Sequence, residues 1–317
     1  MSAPAAALRD FVLLTGRANP ALAADVARAL GAKLGACEVD RFPDGEVAVR
    51  LLEPVRRKDV FIVQPTAPPV NDHLVELLAL ADACRRAAAA RITAIVPYFA
   101  YARADKRHGR REPITGRMVA DCLEAVGIAH VVTVDLHTPQ MEGFFFVPVD
   151  SLTAVPVLCR SLRERLPAGV AVVSPDAGRV ALATDYAQRL GAPVVVLHKR
   201  RDSGTETHVT HVVGDVAGRA CLIVDDIIAT AGTLADSVTA LLAAGARPEI
   251  FIAATHGLFL PGAREKLDQP VVREVHVTDT VPVPPSDWPA LRIVSIAPVV
   301  AAALERFLAH DSIGDLY

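Results

Sequence analysis

The sequence predicts an α/β fold in which mainly parallel β-sheets are flanked by helices. Short runs rich in β-branched residues alternate with Ala- and Leu-rich stretches, and because these runs are apolar throughout, they fit strands buried on both faces. Several of the helical stretches end at or near a glycine, a common C-terminal stop. The predicted strands are 60–63, 92–97, 130–135, 170–175, 193–198, 221–226 and 249–255, and the predicted helices are 71–87, 116–127, 179–191, 233–246 and 299–310.

The same order of elements occurs twice, which indicates two copies of one α/β unit. In each half a strand, a helix and a strand are followed by a basic loop, at 101–111 in the first half and at 198–204 in the second. A chain of 317 residues also exceeds what one core usually spans. We therefore expect one domain at 1–150 and another at 151–297. The C-terminal segment 298–317 is predicted to form a helix that can pack on either domain, and we assign it to the first.

Composition narrows the class of protein. A net charge of −3 gives no general attraction to nucleic acid or to an anionic membrane. No uninterrupted apolar run is long enough for a transmembrane helix, and the N-terminus lacks the pattern of a signal peptide. The five cysteines are dispersed without a CxxC pair, which argues against a zinc site and favours reduced, buried thiols. We expect a cytoplasmic protein that binds neither nucleic acid nor membranes.

Two adjacent carboxylates, Asp225 and Asp226, end an apolar predicted strand. Ligands of open α/β sheets sit beyond the carboxyl ends of strands, so this pair is a candidate site. Because successive strand side chains point to opposite faces, the two acids are expected to reach different groups. Vicinal hydroxyls of a sugar or a hydrated divalent cation would suit them, whereas a solvated acid pair is the alternative.

A short stretch of small residues, Thr230-Ala231-Gly232-Thr233, follows the acids at a predicted helix start. Small residues let the backbone approach an anion, and the N–H groups of a helix N-terminus favour phosphate. Taken alone, such a stretch is also an ordinary loop and helix cap. Acids that can bind sugar hydroxyls stand next to amides that can bind a phosphate. Together they predict a site for ribose 5-phosphate.

The stretch VDDIIATAGT resembles the phosphoribosyl-binding motif of the type I phosphoribosyltransferase fold. More narrowly, motifs along the chain from about residue 10 onward resemble those of ribose-phosphate pyrophosphokinases. They are FPDGE (42–46), VNDHLVELL (70–78), PYFAYARADKR (97–107), REPIT (111–115), DLHTPQMEGFFFVPVD (135–150), VSPDAG (173–178) and HKRR (198–201).

This resemblance implies two tandem type I phosphoribosyltransferase-like domains and an activity. The reaction would move the pyrophosphoryl group of ATP to the 1-hydroxyl of ribose 5-phosphate, with Mg²⁺ as cofactor, for nucleotide biosynthesis. The products would be 5-phosphoribosyl 1-pyrophosphate and AMP. The resemblance also implies self-association of dimers into a hexamer, although some relatives form smaller assemblies.

The resemblance further implies roles for individual residues. Lys199 and Arg201 would be catalytic, in a polar loop that closes over the transferring group, whereas a solvated basic loop is the alternative. Metal binding would fall to His137 and Asp176; because imidazole is an atypical magnesium ligand, His137 is expected to act partly through water or phosphate. Ribose 5-phosphate would be bound by Arg201, Asp225, Asp226, Ala229, Thr230, Ala231, Gly232 and Thr233, and ATP by Phe42, Asp44, Gly45, Glu46, Arg103, Ala104, Asp105 and His137.

The stretch RFPDGEV predicts a hairpin turn, since Pro-Asp-Gly is strong turn chemistry. By resemblance, Phe42 in this turn would stack on adenine, and Asp44 and Glu46 would face the amino group of the base. The turn would come either from the same subunit as the rest of the nucleotide site or from a neighbouring one. The arginines of KRHGRR (106–111) would contact polyphosphate or remain solvated.

Two other functions compete with this interpretation. A phosphoribosyltransferase would share the Asp-Asp motif but leaves the first half of the chain and FPDGE unexplained. A regulatory homologue would bind nucleotides without turnover, and the retention of the phosphate-handling residues argues against it.

The chain departs from the family pattern at several positions. Ala104 replaces a glutamine that contacts the nucleotide, and Ala229 stands where an acid or a serine is usual. Glu142 replaces a glutamine. Phe146 and Gly314 replace an acidic residue and a serine in the region that the family uses for allosteric phosphate and ADP.

We predict that activation by phosphate and inhibition by ADP are weakened or altered in this protein, because Phe146 and Gly314 remove polar groups from the allosteric region. Initial rates measured against ADP at several phosphate concentrations test this. Strongly sigmoidal ADP inhibition that phosphate relieves would contradict it.

Overall fold

The computed structural model describes residues 10–107, 109–203, 206–283, 287–314 and 316, and the side chains of 199–210 lie outside that description. The chain divides into two compact units. One comprises the chain up to Thr153 with Thr280–Pro282 and Ser295–Tyr317, and the other comprises Ala154–Asp279 with Val283–Val294. Among the described helices, none combines the length and the apolar character that crossing a bilayer requires.

The first unit is built on a sheet whose strands all run parallel, in the order β1-β4-β5-β6-β7. Two strands outside this sheet, β2 and β3, pair antiparallel as a hairpin. The central strands are buried on both faces, as their unbroken apolar sequences require. The elements are β1 Phe11–Thr15, α1 Pro20–Ala29, β2 Cys37–Arg41, β3 Val47–Leu51, β4 Asp59–Val63, α2 Val70–Arg86, β5 Arg91–Val96, α3 Thr115–Ala125, β6 His130–Val134 and β7 Val149–Leu152.

The second unit contains a seven-stranded sheet in the order β10-β9-β8-β11-β12-β13-β14. Only β9 and β10 pair antiparallel, and the other pairs are parallel. The elements are α4 Val155–Arg163, β8 Ala171–Ser174, α5 Val180–Leu190, β9 Val194–Ser203, β10 Glu206–Val213, β11 Cys221–Ile228, α6 Gly232–Ala243, β12 Ile250–Gly257, α7 Ala263–Leu267, β13 Val272–Thr278 and β14 Leu291–Val294. The final helix, α8 Ala297–Ala309, belongs to the first unit, where it contacts α1.

The fold class predicted from the sequence is confirmed, and each predicted strand and helix is present within a few residues of its expected bounds. The elements that the sequence did not predict are β1, the strands of the β2–β3 hairpin, β7, β10, β13, β14, α1, α4 and α7. Most of them are short or rich in polar residues, so their local pattern is weak.

The predicted loop at 198–204 is wrong, because β9 continues to Ser203 and pairs with β10. Pairing between β8 and β9 covers only Val194–Val196, so the rest of β9 forms a two-stranded arm with β10. We expected a loop because the segment 198–204 is rich in charged side chains. Strand pairing, however, is made by backbone groups, and edge strands commonly carry charged side chains.

Candidate active site

The strand order of the second unit reverses between β8 and β11. From β8 the chain passes through α5 to β9 on one side, whereas β11 lies on the other side of β8. Such a switch point opens a crevice at the carboxyl ends of parallel strands, where ligands of α/β proteins bind. The carboxyl ends of β8 and β11 carry the residues described next.

Asp225 and Asp226 lie within β11, whose pairing with β12 continues to Ile228. The sequence analysis placed them at the end of the predicted strand 221–226, and the structure extends that strand by two residues. The Nε atom of Arg179 lies 3.3 Å from Oδ1 of Asp225 and 3.2 Å from Oδ1 of Asp226. Arg179 follows the turn after β8, and it reaches both acids because β8 and β11 are neighbours in the sheet.

The carboxyl of Asp225 has a pKa well above its ordinary value of 3.8. Burial is the first cause and the adjacent charge of Asp226 the second, while the Arg179 guanidinium opposes both. The backbone N–H of Asp226 donates to Oδ1 of Asp225 over 2.9 Å and also lowers the pKa. The carboxyl pair is therefore held close together at an electrostatic cost that one cation only partly offsets.

The connection from β11 to α6 leaves its first amide groups without a side-chain cap. Helix α6 begins at Gly232, and its N-cap residue Ala231 has a left-handed backbone with φ of 58° and makes no side-chain cap hydrogen bond. An alanine rarely adopts this conformation, so the surrounding contacts must hold it there. Uncapped N–H groups at a helix start are suited to an anion.

Carbonyl groups of the same connection are bonded to the segment that follows β12. The N–H groups of Leu258 and Leu260 donate to the carbonyls of Ile228 and Ala229 over 2.9 and 3.0 Å. The Nζ atom of Lys266 in α7 donates to the carbonyl of Thr230 over 2.9 Å. These bonds engage carbonyl oxygens that would otherwise repel an anion at the loop.

Asp176 follows β8 in a turn that fixes its side chain. Its Oδ1 accepts the N–H of Gly178 over 2.8 Å, and the hydroxyl of Ser174 donates to its backbone carbonyl over 2.7 Å. The residue is half-buried. Its carboxylate has oxygen lone pairs left for a further donor or a cation.

In the first unit, His137 follows the carboxyl end of β6 and is half-buried. Across the described parts of both units, no group of three or more His, Cys, Asp or Glu residues gathers closely enough to hold a metal ion. A divalent cation would therefore need oxygens from water or from substrate. Mg²⁺ usually binds in this way, through one or two carboxylates plus phosphates.

The β2–β3 hairpin turns at Phe42–Glu46, as the sequence predicted. The N–H of Gly45 donates to the Phe42 carbonyl over 2.8 Å, and Gly45 has φ of 96°, which a side chain would strain. Asp44 accepts the N–H of Glu46 over 3.1 Å. This tight turn leaves 55% of Phe42 exposed, so its ring is available to a flat ligand.

A cleft of about 510 Å³ in the same unit is lined by Arg103 and Ala104, together with Tyr98, Tyr101 and the start of α2. Arg103 is exposed, and Ala104 and Asp105 are half-buried. The guanidinium of Arg41, next to Phe42, pairs with Asp72 of the cleft wall over 2.6 Å. The hairpin is thereby tied to the cleft within the first unit.

The structure places Lys199 and Arg201 on β9 rather than in a loop, and their side chains lie outside the described part of the structure. Their backbone positions are opposite Val209 and Thr207 on β10, in the arm that extends beyond β8.

Comparison with known proteins places the chain in a family. Residues 11–127 match the N-terminal domain of ribose phosphate pyrophosphokinase, and residues 201–317 match the phosphoribosyl synthetase-associated domain. A ribose-phosphate pyrophosphokinase of Caldanaerobacter subterraneus is 43% identical over 96% of this chain and 97% of its own length. The chain belongs to the ribose-phosphate pyrophosphokinase family. A member from Chromobacterium violaceum is 44% identical over 98% of the chain and 96% of its own.

A solved structure of a family member supports the fold. The crystal structure of phosphoribosylpyrophosphate synthetase from Mycobacterium smegmatis is 40% identical and superimposes with a TM-score of 0.89. The match covers 95% of this chain and all of the other. The ribose-phosphate pyrophosphokinase fold therefore extends over both units of this chain.

Within this family fold, the structure gathers only part of the predicted site. Asp176, Asp225, Asp226 and the loop 229–233 lie at the carboxyl end of the second unit's sheet, and Arg103 and Ala104 line the cleft of the first. Sequence analysis missed Arg179 and Lys266. Lys266 could have been singled out because lysine is scarce in this chain. Arg179 could have been singled out because it lies three residues after Asp176.

We predict that Asp225→Asn raises the free energy of unfolding at pH 7. The pKa of Asp225 is raised in the folded protein, so ionisation above the ordinary value of 3.8 destabilises the folded state relative to the unfolded one. The uncharged variant avoids this cost. Its advantage should be present at neutral pH and shrink as the pH falls towards 3.8, where the carboxyl is increasingly protonated in both states.

Urea unfolding of both proteins at pH 7 and pH 4 measures this difference. The control is Asp236→Asn, a change of an exposed acid in α6, which should alter stability by no more than about 0.5 kcal/mol. An Asp225→Asn variant less stable than the unaltered protein at pH 7 would show that the prediction is wrong.

Proposed function

We propose that this chain transfers the pyrophosphoryl group of ATP to the 1-hydroxyl of ribose 5-phosphate, giving 5-phosphoribosyl 1-pyrophosphate and AMP for nucleotide biosynthesis. The observation that carries the proposal is the β11–α6 connection in a chain that belongs to this family along almost its whole length. Two carboxylates near the end of β11 precede this connection, and an uncapped helix N-terminus follows it.

Ribose 5-phosphate binds at this connection in our proposal. Asp225 and Asp226 accept hydrogen bonds from ribose hydroxyls, and the N–H groups and hydroxyls of residues 229–233 receive the 5-phosphate. The uncapped start of α6 and the engaged carbonyls of Ile228, Ala229 and Thr230 support this assignment. Ala229 offers only its backbone, so the ribose loses a side-chain contact there.

ATP binds through the first unit in our proposal. The exposed ring of Phe42 stacks on adenine, with Asp44, Gly45 and Glu46 in the same turn facing the base edge. Arg103, Ala104 and Asp105 contribute from the cleft. The ion pair between Arg41 and Asp72 supports this grouping, because it fixes the hairpin against the cleft wall. Ala104 enlarges the cleft where a glutamine would enter it.

Transfer requires the 1-hydroxyl oxygen to bond the β-phosphorus of ATP while the bond from that phosphorus to the α,β-bridging oxygen breaks. AMP leaves with the bridging oxygen, and the proton of the 1-hydroxyl passes to solvent. Positioning and charge neutralisation dominate such reactions. We assign the neutralising cations to Lys199 and Arg201, and Arg201 also contacts the ribose 5-phosphate.

Mg²⁺ is the proposed cofactor, held by Asp176 and His137. A carboxylate with spare lone pairs fits this ion, which is usually bound through one or two carboxylates together with phosphate and water. When bound, Mg²⁺ would neutralise charge on the polyphosphate. His137 acts partly through water or through direct contact with phosphate.

Self-association of dimers into a hexamer also remains a proposal. It is supported by apolar side chains left exposed on the first unit, above all Phe146, which is 85% exposed with the Arg117 guanidinium 4.8 Å from its ring centre. Multi-angle light scattering of the purified protein gives the number of subunits directly.

We predict that the protein releases AMP from ATP only when ribose 5-phosphate and Mg²⁺ are present, and that Lys199→Ala lowers kcat by about 100-fold or more, as loss of a charge-stabilising group does. Coupled detection of AMP measures both. Lys33→Ala, which removes an exposed lysine of the first unit, should leave kcat unchanged.

The same assay separates the alternatives. A phosphoribosyltransferase would release no AMP but would consume 5-phosphoribosyl 1-pyrophosphate with adenine or orotate. A regulatory homologue would do neither. Full activity of Lys199→Ala would contradict the role given to that lysine.

We predict that Phe42→Ala raises KM for ATP by about tenfold, since stacking of a base on an aromatic ring contributes about 1–3 kcal/mol. The matched control is Leu52→Ala, a similarly exposed apolar residue just after β3, where 51% of the residue is accessible. It should change KM for ATP by less than about twofold, because a change well under 1 kcal/mol is typical of a surface position. If Phe42→Ala and Leu52→Ala changed KM for ATP equally, the stacking role proposed for Phe42 would be wrong.

A further inference from the structure

One guanidinium serves both acids of β11, although nothing in the proposed reaction requires it. The Nε–H of Arg179 lies 3.3 Å from one carboxylate and 3.2 Å from the other. All three side chains are largely buried, with 17% of Arg179, 14% of Asp225 and 8% of Asp226 exposed. The contact is therefore a shielded ion triad rather than a surface salt bridge.

Adjacent buried carboxylates repel each other, and a nearby cation favours their ionised forms. A divalent metal ion is a common solution, because hard cations favour carboxylate oxygens. In this chain the positive charge is instead part of the polypeptide. An arginine stays protonated throughout the physiological pH range, so it remains in place as a permanent charge.

The backbone fixes where this charge sits. The N–H of Arg179 donates to the carbonyl of Asp176 over 3.4 Å, and the residue closes the short turn Ala177–Arg179 just before α5. Its reach to β11 is set by the pairing of β8 with β11. The guanidinium is thus held by two elements whose positions the central sheet determines.

The Arg179 contact engages one oxygen of each carboxylate, Oδ1 of Asp225 and Oδ1 of Asp226. Because each carboxylate oxygen has two lone-pair directions, the geometry of the pair allows further donors. Vicinal hydroxyls can donate to such a pair, whereas a second cation would gain less there than at an uncompensated diacid.

We propose that Arg179 is a positioning residue that takes the place of a divalent cation at Asp225 and Asp226, and that it holds both carboxylates ready for the hydroxyls of a sugar. The cation part concerns the protein alone, and the sugar part rests on the proposed function. The consequence is that this carboxyl pair binds no divalent cation unless Arg179 is removed.

Mn²⁺ binding to the substrate-free protein, followed by electron paramagnetic resonance, tests the cation part. Arg179→Gln should gain one Mn²⁺ site per chain, at least about tenfold tighter than any site that the unaltered protein has at this pair. Arg189→Gln is the matched control, since it removes an arginine of α5, the helix that follows Arg179, and this arginine pairs with Asp185 over 2.7 Å. That control should gain no Mn²⁺.

Asp225→Asn in the unaltered background keeps the proposal falsifiable if Arg179→Gln does not fold. This variant should bind as many Mn²⁺ ions as the unaltered protein does. Loss of a Mn²⁺ ion on this change, or a folded Arg179→Gln that gains none, would overturn the proposal. Neither measurement depends on turnover, so failure of the proposed function would be seen separately as absence of AMP.

A kinetic measurement tests the positioning part. Arg179→Gln should raise KM for ribose 5-phosphate by about tenfold or more, while KM for ATP changes less than twofold. Arg179→Lys, which keeps the charge, should recover most of the lost affinity. An equal loss in KM for both substrates, or no recovery with lysine, would indicate a merely structural role and overturn this part.

Discussion

Repulsion between two carboxylates in a largely buried setting is the constraint on which the second unit depends. Asp225 and Asp226 are adjacent on a central strand, and burial and the neighbouring charge of Asp226 both raise the pKa of Asp225 and work against its ionised form. Arg179 and the N–H of Asp226 offset part of that cost. A protein gains no stability from such a pair, so its presence on a core strand points to a ligand rather than to folding.

The neighbouring loop has the opposite electrostatic character. Uncapped amides at the start of α6 are positive, and the carbonyls before them are engaged by Leu258, Leu260 and Lys266. A molecule with hydroxyls at one end and a phosphate at the other matches this sequence of acceptors and then donors. The acids lie near the end of β11 and the uncapped amides lie at the start of α6. Because α6 follows β11 in the chain, the acceptors and the donors come from one short segment of sequence.

Much of this site could be predicted from the sequence, because its parts are local. An apolar run, two acids and small residues before a helical stretch suffice to place β11 and α6, and the hairpin turn at Pro43-Asp44-Gly45 is equally local. The partners of these parts could not be predicted. Arg179 meets Asp225 only because β8 and β11 are neighbours, and Lys266 meets Thr230 across 36 residues of sequence. The order of strands in the sheet determines both contacts, and no single segment of the sequence specifies that order.

The position of the acids and that of the basic arm follow different physical requirements. Carboxylates that are to recognise a sugar need fixed geometry, and β11 supplies it because its pairing with β12 continues past Asp225 to Ile228. Lys199 and Arg201 lie where β9 pairs with β10 alone, beyond the end of β8. Arg179, by contrast, lies in the turn after β8 and contacts both acids of β11. In the proposed reaction, this fixed cation serves the acids that bind the sugar, and the charge of the polyphosphate is assigned to Lys199 and Arg201 on the outer arm.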